Sequence, residues 1–275
     1  MATNENASHG AIAGKVAAVT IGFWIIKIIA TTLGETGGDA LSMPPIELGY
    51  QVATFIFLAF FAVTVSAQVF AKRYHPALYW AVIVATTTLG TTTADWLTLD
   101  VHAFGAVGLG YGRTSLALFI GLLIVLAIWR VATGSIAVSR ITTKKAEVFY
   151  WVAILVSNTL GTALGDWLAD TNDVGFEKGA LVFATAIAIV GALYLFTKIS
   201  RPILFWSAFI LTRPLGATVG DIITKPYAKG GFNLSRPVSS IVILVAMIPL
   251  IYFFSRKAEH TDSAQEHADA LHEPI

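Results

Sequence analysis

Apolar residues form eight long runs along the chain, and each run is close to the roughly 20 residues that cross the hydrocarbon core of a bilayer. Four runs start with an aromatic residue and a tryptophan and end in a polar segment: residues 23–42, 79–98, 150–169 and 205–224. The runs that follow them are plainer and rich in Leu, Ile, Val, Ala and Phe: residues 50–70, 111–131, 179–199 and 237–254. The pattern predicts an all-α integral membrane protein with eight transmembrane helices.

The four polar-ended runs align with one another without gaps. In each, a Leu-Gly pair places its glycine ten residues after the tryptophan, and an aspartate follows five residues later. The repeated positions are Trp24, Trp80, Trp151 and Trp206; Gly34, Gly90, Gly161 and Gly216; and Asp39, Asp95, Asp166 and Asp221. A fixed spacing that recurs four times indicates an internal repeat.

Each repeat holds two predicted crossings, so it is a helical hairpin and all four repeats enter the membrane from the same side. We therefore predict one transmembrane domain over residues 1–257, with hairpin repeats at about 15–73, 74–140, 145–200 and 201–257 around a pseudo-symmetry axis. Residues 258–275 are predicted to be a polar cytoplasmic tail.

Eleven Lys and Arg residues fall on the side of both termini and five in the opposite loops. The positive-inside rule then places both termini in the cytoplasm.

The composition limits the class of protein, its partners and the kinds of metal site that are possible. Hydrophobic residues make up 56% of the chain and charged residues 13%, against about 25% charged in soluble proteins. The net charge of +1 gives no reason to expect a nucleic-acid partner, and the absence of cysteine excludes thiolate metal sites. Oxygen ligands remain, and these suit hard cations such as Mg²⁺, Ca²⁺ and Mn²⁺.

Each polar-ended helix carries one polar stripe, because residues four apart share a helix face. The stripes are Lys27, Thr31, Glu35 and Asp39; Thr87, Thr91 and Asp95; Asn158, Thr162 and Asp166; and Arg213, Ala217 and Asp221. Polar groups are costly in hydrocarbon, at about 2.5–3.5 kcal/mol for a central Asp or Lys, so the stripes are expected to face a protein interior or a wet cavity. Their convergence predicts a negatively charged central site.

Several interpretations of these residues remain open. The aspartates either bind an ion or mark the helix ends, and Lys27 and Glu35 could neutralise each other across neighbouring helices. The four tryptophans either pack between repeats as a structural belt or contact a substrate. The motif glycines either let helices approach closely or, with Pro214, break a helix and expose its carbonyls.

Four tandem two-helix units, each with a tryptophan and a Leu-Gly…Gly-Asp segment, resemble a family of bacterial membrane-anchored proteins built on a repeat of unknown function. The resemblance runs from about Lys15 to Lys257. It implies a multi-pass protein of the bacterial inner (plasma) membrane composed of four such units. It supplies no substrate and no catalytic residue.

The leading hypothesis is a transporter or exporter of a hard divalent cation such as Mn²⁺ or Mg²⁺, and not an enzyme. The expected ion ligands are Asp39, Asp95, Asp166, Asp221, Glu35, Thr91, Thr162 and Asn158, with Lys27 and Arg213 setting the local field. The alternatives are a transporter of a small organic solute that contacts the tryptophans, Lys27 and Arg213, a cation channel, or an intramembrane enzyme. The expected partners are the lipid bilayer and the transported species; no cofactor beyond a bound divalent cation is expected, and a homo-oligomer is left open.

Overall fold

The computed structural model describes residues 16–100, 106–171 and 174–271, with side chains described except at 170–171 and 257–271. Within these ranges the chain is helical and has eight long helices. They are α1 (Ile21–Ser42), α2 (Tyr50–Phe70), α3 (Pro76–Thr98), α4 (Tyr111–Thr133), α5 (Lys144–Asp166), α6 (Phe176–Phe196), α7 (Arg201–Thr224) and α8 (Arg236–Leu271). Helix α8 continues into the predicted tail, whose side chains lie outside the described residues.

Six of these helices are long and apolar enough to cross a membrane: α2, α4, α5, α6, α7 and the first part of α8. The even-numbered helices expose most of their apolar side chains, as Phe55, Leu123, Leu195 and Val245 illustrate. Such a large apolar surface is consistent with contact with a lipid bilayer. Helices α1 and α3 are of similar length, but they carry the charged and threonine-rich stripes and bury most of them.

The odd-numbered helices form a closed ring in the order α1, α3, α5, α7 and back to α1. Each even-numbered helix packs along the first helix of the following repeat: α2 on α3, α4 on α5, α6 on α7, and α8 on α1. The two helices of one repeat pack only sparsely against each other, so the repeat is not a closely packed hairpin. The repeats hold together by this overlap, and α8 closes the circle.

The repeated glycines explain the close approach within the ring. Each glycine faces the residue that stands three positions before the glycine of a neighbouring repeat: Gly34 faces Thr87, Gly90 faces Asn158, Gly161 faces Arg213, and Gly216 faces Thr31. A Cβ atom on Gly216 would lie 2.1 Å from Oγ1 of Thr31. The alternative of a helix broken at Pro214 is not found, because α7 continues through this residue. The glycines therefore serve packing.

An aromatic belt closes one end of the ring, and we call this end the Trp end. The residue before each repeated tryptophan contacts the tryptophan of the next repeat, with ring centroids 5.7 Å apart for Phe23 and Trp80, 5.4 Å for Tyr79 and Trp151, 6.3 Å for Tyr150 and Trp206, and 5.6 Å for Phe205 and Trp24. These eight residues are the aromatic belt. The opposite end, which carries the four repeated aspartates, is the Asp end.

Candidate functional site

Five carboxylates converge at the Asp end, and all of them are buried. Side-chain oxygens of Glu35, Asp166 and Asp221 lie within 4.8 Å of one another, and so do those of Glu35, Asp39 and Asp95. Glu35 belongs to both groups and joins them into one carboxylate cluster. The five acids that the sequence selected are thus brought together by the ring of odd-numbered helices.

The cluster lies where four helices end. Helices α1, α3 and α7 each end three residues after their aspartate, and α5 changes to a π-helical turn directly after Asp166. The carboxyl end of a helix carries a partial negative charge of about half an elementary charge, which disfavours a carboxylate. A role in terminating the helices therefore explains these aspartates poorly, since the helix ends add to the negative potential of the cluster.

Two basic residues at the Asp end contact the cluster. Nζ of Lys225 lies 3.2 Å from Oδ1 of Asp221 and 3.7 Å from Oδ2 of Asp39. Nε of Arg236, the first residue of α8, lies 3.4 Å from the same oxygen of Asp39. Burial lowers the pKa of Lys225, but its neighbours, Asp221 and Asp39 foremost, together raise it, and the net pKa is well above its ordinary value. Lys225 therefore stays charged.

Sequence reasoning missed both of these residues, because it counted them only as charges of the loops opposite the termini. Lys225 carried a usable signal, since it stands four residues after Asp221 and can reach it along one helix face. No such signal exists in the sequence for Arg236, because its contact with Asp39 depends on the packing of α8 against α1.

The other two aspartates are less well compensated. Asp95 is 4% exposed and Asp166 is 8% exposed. Neither side chain makes a hydrogen bond or an ion pair within the described part of the chain. Buried charges are normally paired or bound to a metal. These two side chains, with oxygens directed at Glu35, are the strongest indication that the cluster has a ligand.

Arg213 crosses the ring directly below the carboxylate cluster. From α7 its Nη2 atom donates a 3.1 Å hydrogen bond to Oε2 of Glu35 on α1 and also bonds to the hydroxyl of Thr91 on α3. Its Nη1 atom donates a 3.2 Å hydrogen bond to the carbonyl of Thr31. Helix α3 is not a ring neighbour of α7, so the guanidinium extends across the interior of the ring.

Lys27 crosses the ring along the other diagonal, nearer the Trp end. From α1 its Nζ atom donates a 3.1 Å hydrogen bond to Oδ1 of Asn158 on α5, and it lies 4.2 Å from the centroid of the Phe209 ring. The Asn158 amide donates in turn to the hydroxyl of Thr86 on α3, at 3.0 Å. The suggested Lys27–Glu35 pair is therefore not formed, because Arg213 occupies Glu35.

The remaining predicted site residues lie at different positions between the Asp end and the Trp end. Thr91 contacts the cluster through Glu35, whereas Thr162 is buried and donates to the carbonyl of Asn158 at 3.4 Å. The four tryptophans lie in the aromatic belt at the Trp end. Asn158 bonds to Lys27 rather than to a carboxylate, and so the structure brings neither it nor the tryptophans to the cluster.

Fold and site together define a class of protein: a four-repeat helical bundle with membrane-length apolar helices around a buried, charged centre. The chain belongs to the family described as Repeat of Unknown Function (DUF347), whose model matches residues 22–74, 78–135, 149–200 and 204–258. These four matches confirm the four tandem repeats predicted from the spacing. No curated protein and no solved structure matches the chain.

Proposed function

We propose that this protein is a membrane transporter of a hard divalent cation, such as Mn²⁺ or Mg²⁺, which binds at the carboxylate cluster. The observation that carries the proposal is the approach of two groups of three buried carboxylate oxygens to within 4.8 Å. Carboxylates this close repel one another unless a proton or a cation lies between them. With metal–oxygen bonds of about 2.0–2.6 Å, the oxygens bound to one ion lie about 3–5 Å apart, which fits this spacing.

The local charge supports a divalent ion. The five carboxylates are contacted by three basic groups, Arg213, Lys225 and Arg236, which leaves a formal charge of −2. The four helix ends add further negative potential. Carboxylate and hydroxyl oxygens are hard ligands, and they favour Mg²⁺, Ca²⁺ or Mn²⁺ over copper or zinc.

The position of the cluster in the bundle supports a transporter rather than an open channel. The interior of the ring is crossed by Arg213 and then by Lys27 on the way to the Trp end. The aromatic belt closes that end. A cation bound at the cluster would meet two basic side chains and a layer of packed rings, so passage requires a conformational change.

The positions of the four tryptophans give less support to the transport of a small organic solute. Their rings contact the Phe and Tyr rings of the belt, and Trp206 donates a 3.2 Å hydrogen bond to the carbonyl of Ile136. Trp80 and Trp151 are buried in these contacts. The converging carboxylates therefore favour an ion as the cargo.

The proposed arrangement in the membrane has eight spanning helices around an approximate fourfold axis along the membrane normal. The closed order of the odd-numbered helices and the repeated glycine contacts support this axis. A helix of about 22 residues is about 33 Å long, which is enough for α1 and α3 to cross. The bias of Lys and Arg supports cytoplasmic termini in a bacterial inner membrane, with the Asp end facing outward.

We expect Asp95→Asn and Asp166→Asn each to weaken Mn²⁺ binding by at least about tenfold, because each removes one charged ligand. Binding is measured as Mn²⁺-dependent thermal stabilisation of the purified protein, and transport as Mn²⁺ flux in proteoliposomes with an indicator dye. Asp100→Asn is the matched control, because Asp100 is exposed just beyond the end of α3. If Mg²⁺, Ca²⁺ and Mn²⁺ neither stabilise nor cross with the wild-type protein, the proposed function is wrong.

A further inference from the structure

We propose that Arg213 is a built-in competitor of the transported cation: it holds Glu35 in the empty protein and must release it when the ion binds. The inference rests on the proposed function, because it identifies the residue that controls the same site. It assigns Arg213 a role in setting affinity and in favouring divalent over monovalent ions.

Arg213 is the exceptional residue at its position in the repeat. The three equivalent residues are short and polar: Thr31, Thr87 and Asn158. Glu35 is the exception at its own position, where the other repeats carry Thr91, Thr162 and Ala217. The two departures from the repeat pattern meet each other at 3.1 Å, and both side chains are buried. The pair is therefore a feature added to the shared fourfold framework.

Glu35 is also the residue that the two groups of carboxylates share. A cation held by either group would contact a carboxylate that already bonds to Arg213. A guanidinium and a metal ion both bind carboxylate oxygens, and the guanidinium stays charged in proteins. Arg213 bonds to Oε2 of Glu35, so an ion that binds this oxygen must displace the guanidinium, and an ion that binds Oε1 is repelled by the guanidinium beside it.

The surroundings allow Arg213 to release Glu35 without leaving the ring. Its guanidinium also donates to the carbonyl of Thr31 and the hydroxyl of Thr91. Its Nε atom is buried and has no hydrogen-bond partner among the described residues, which leaves one donor available to a new acceptor. Gly161 provides the space for its stem, since a Cβ atom there would lie 2.5 Å from Cβ of Arg213.

Displacement favours ions of higher charge. The Coulomb attraction of a carboxylate doubles from a monovalent to a divalent ion at the same distance. A monovalent ion offers Glu35 no more charge than Arg213 does. A divalent ion offers twice as much and so can compete with the fixed guanidinium.

The test measures Mn²⁺ binding to the purified full-length protein by isothermal titration calorimetry, with Na⁺ as competitor. We expect Arg213→Thr, which introduces the residue of two sister repeats, to bind Mn²⁺ about tenfold more tightly and to become sensitive to Na⁺. Arg213→Gln keeps hydrogen-bonding capacity without the charge; it is expected to shift in the same direction and replaces Arg213→Thr if that variant does not fold. Arg113→Thr is the control, since it removes an exposed arginine at the start of α4.

Glu35→Thr and Glu35→Thr/Arg213→Thr complete the test. Competition for Glu35 predicts that the loss of Arg213 no longer tightens binding once Glu35 is absent. A gain that persists without Glu35, or affinity in Arg213→Thr that is equal to or weaker than in the wild type, overturns the inference while leaving the cation site intact. If the wild type binds no cation, the proposed function fails, and the inference fails with it.

Discussion

Gly216→Ala is expected to destabilise the protein by about 1–3 kcal/mol or more, because the added methyl group has no space. A Cβ atom at this position would lie 2.1 Å from Oγ1, 2.5 Å from Cβ and 2.8 Å from the backbone carbonyl carbon of Thr31. The backbone of α1 cannot rotate away as a flexible side chain can, so α1 and α7 must separate. Separation also disturbs the adjacent bond from Arg213 to the Thr31 carbonyl. The measurement is the thermal unfolding midpoint in detergent.

Gly121→Ala is the matched control for this prediction. Gly121 lies within α4, and no atom of the described part of the chain lies within 4 Å of a Cβ atom added there. Alanine is the better helix former by about 1 kcal/mol, so the control is expected to be neutral or slightly more stable. Equal midpoints for the two variants would contradict the view that the repeated glycines set the helix spacing in the ring.

The repeat itself was predictable from sequence, because its signals are local. The spacing from Trp24 to Gly34 to Asp39 recurs in one chain, and a hydrophobic run of spanning length needs no tertiary information. The ends of α1, α3 and α7 at Ser42, Thr98 and Thr224 coincide with the ends of the aligned segments. The four aspartates followed from the same alignment, and Glu35 followed from its position four residues before Asp39 on one helix face.

The partners of these residues were not predictable, because they depend on which helices are neighbours. Sequence spacing allowed Lys27 to pair with Glu35, but the ring brings Asn158 to Lys27 and Arg213 to Glu35. The packing of α8 on α1, which brings Arg236 to Asp39, is a closure between the first and last repeats. No local pattern contains that information.

The second large effect on stability is expected from the loss of either member of the Glu35–Arg213 pair. Without divalent cations, Glu35→Thr and Arg213→Thr are each expected to lower the free energy of unfolding by about 3–5 kcal/mol, because each leaves one buried charge without its partner. The double variant is expected to lose less than the sum, since threonine already occupies these positions in other repeats, at Thr91 and Thr87. The measurement is a double-mutant cycle of unfolding in detergent with a chelator present.

The cycle separates a true pair from two independent core residues. A coupling energy of about 1–3 kcal/mol is expected for side chains in direct contact, whereas independent sites add within about 0.5 kcal/mol. Glu177→Gln and Arg113→Thr, both exposed at the starts of helices α6 and α4, provide the matched pair that should be additive. Additive losses for Glu35 and Arg213 would mean that the 3.1 Å contact contributes little. Strong coupling would instead show that Glu35 and Arg213 stabilise the folded protein as a pair when no cation is bound.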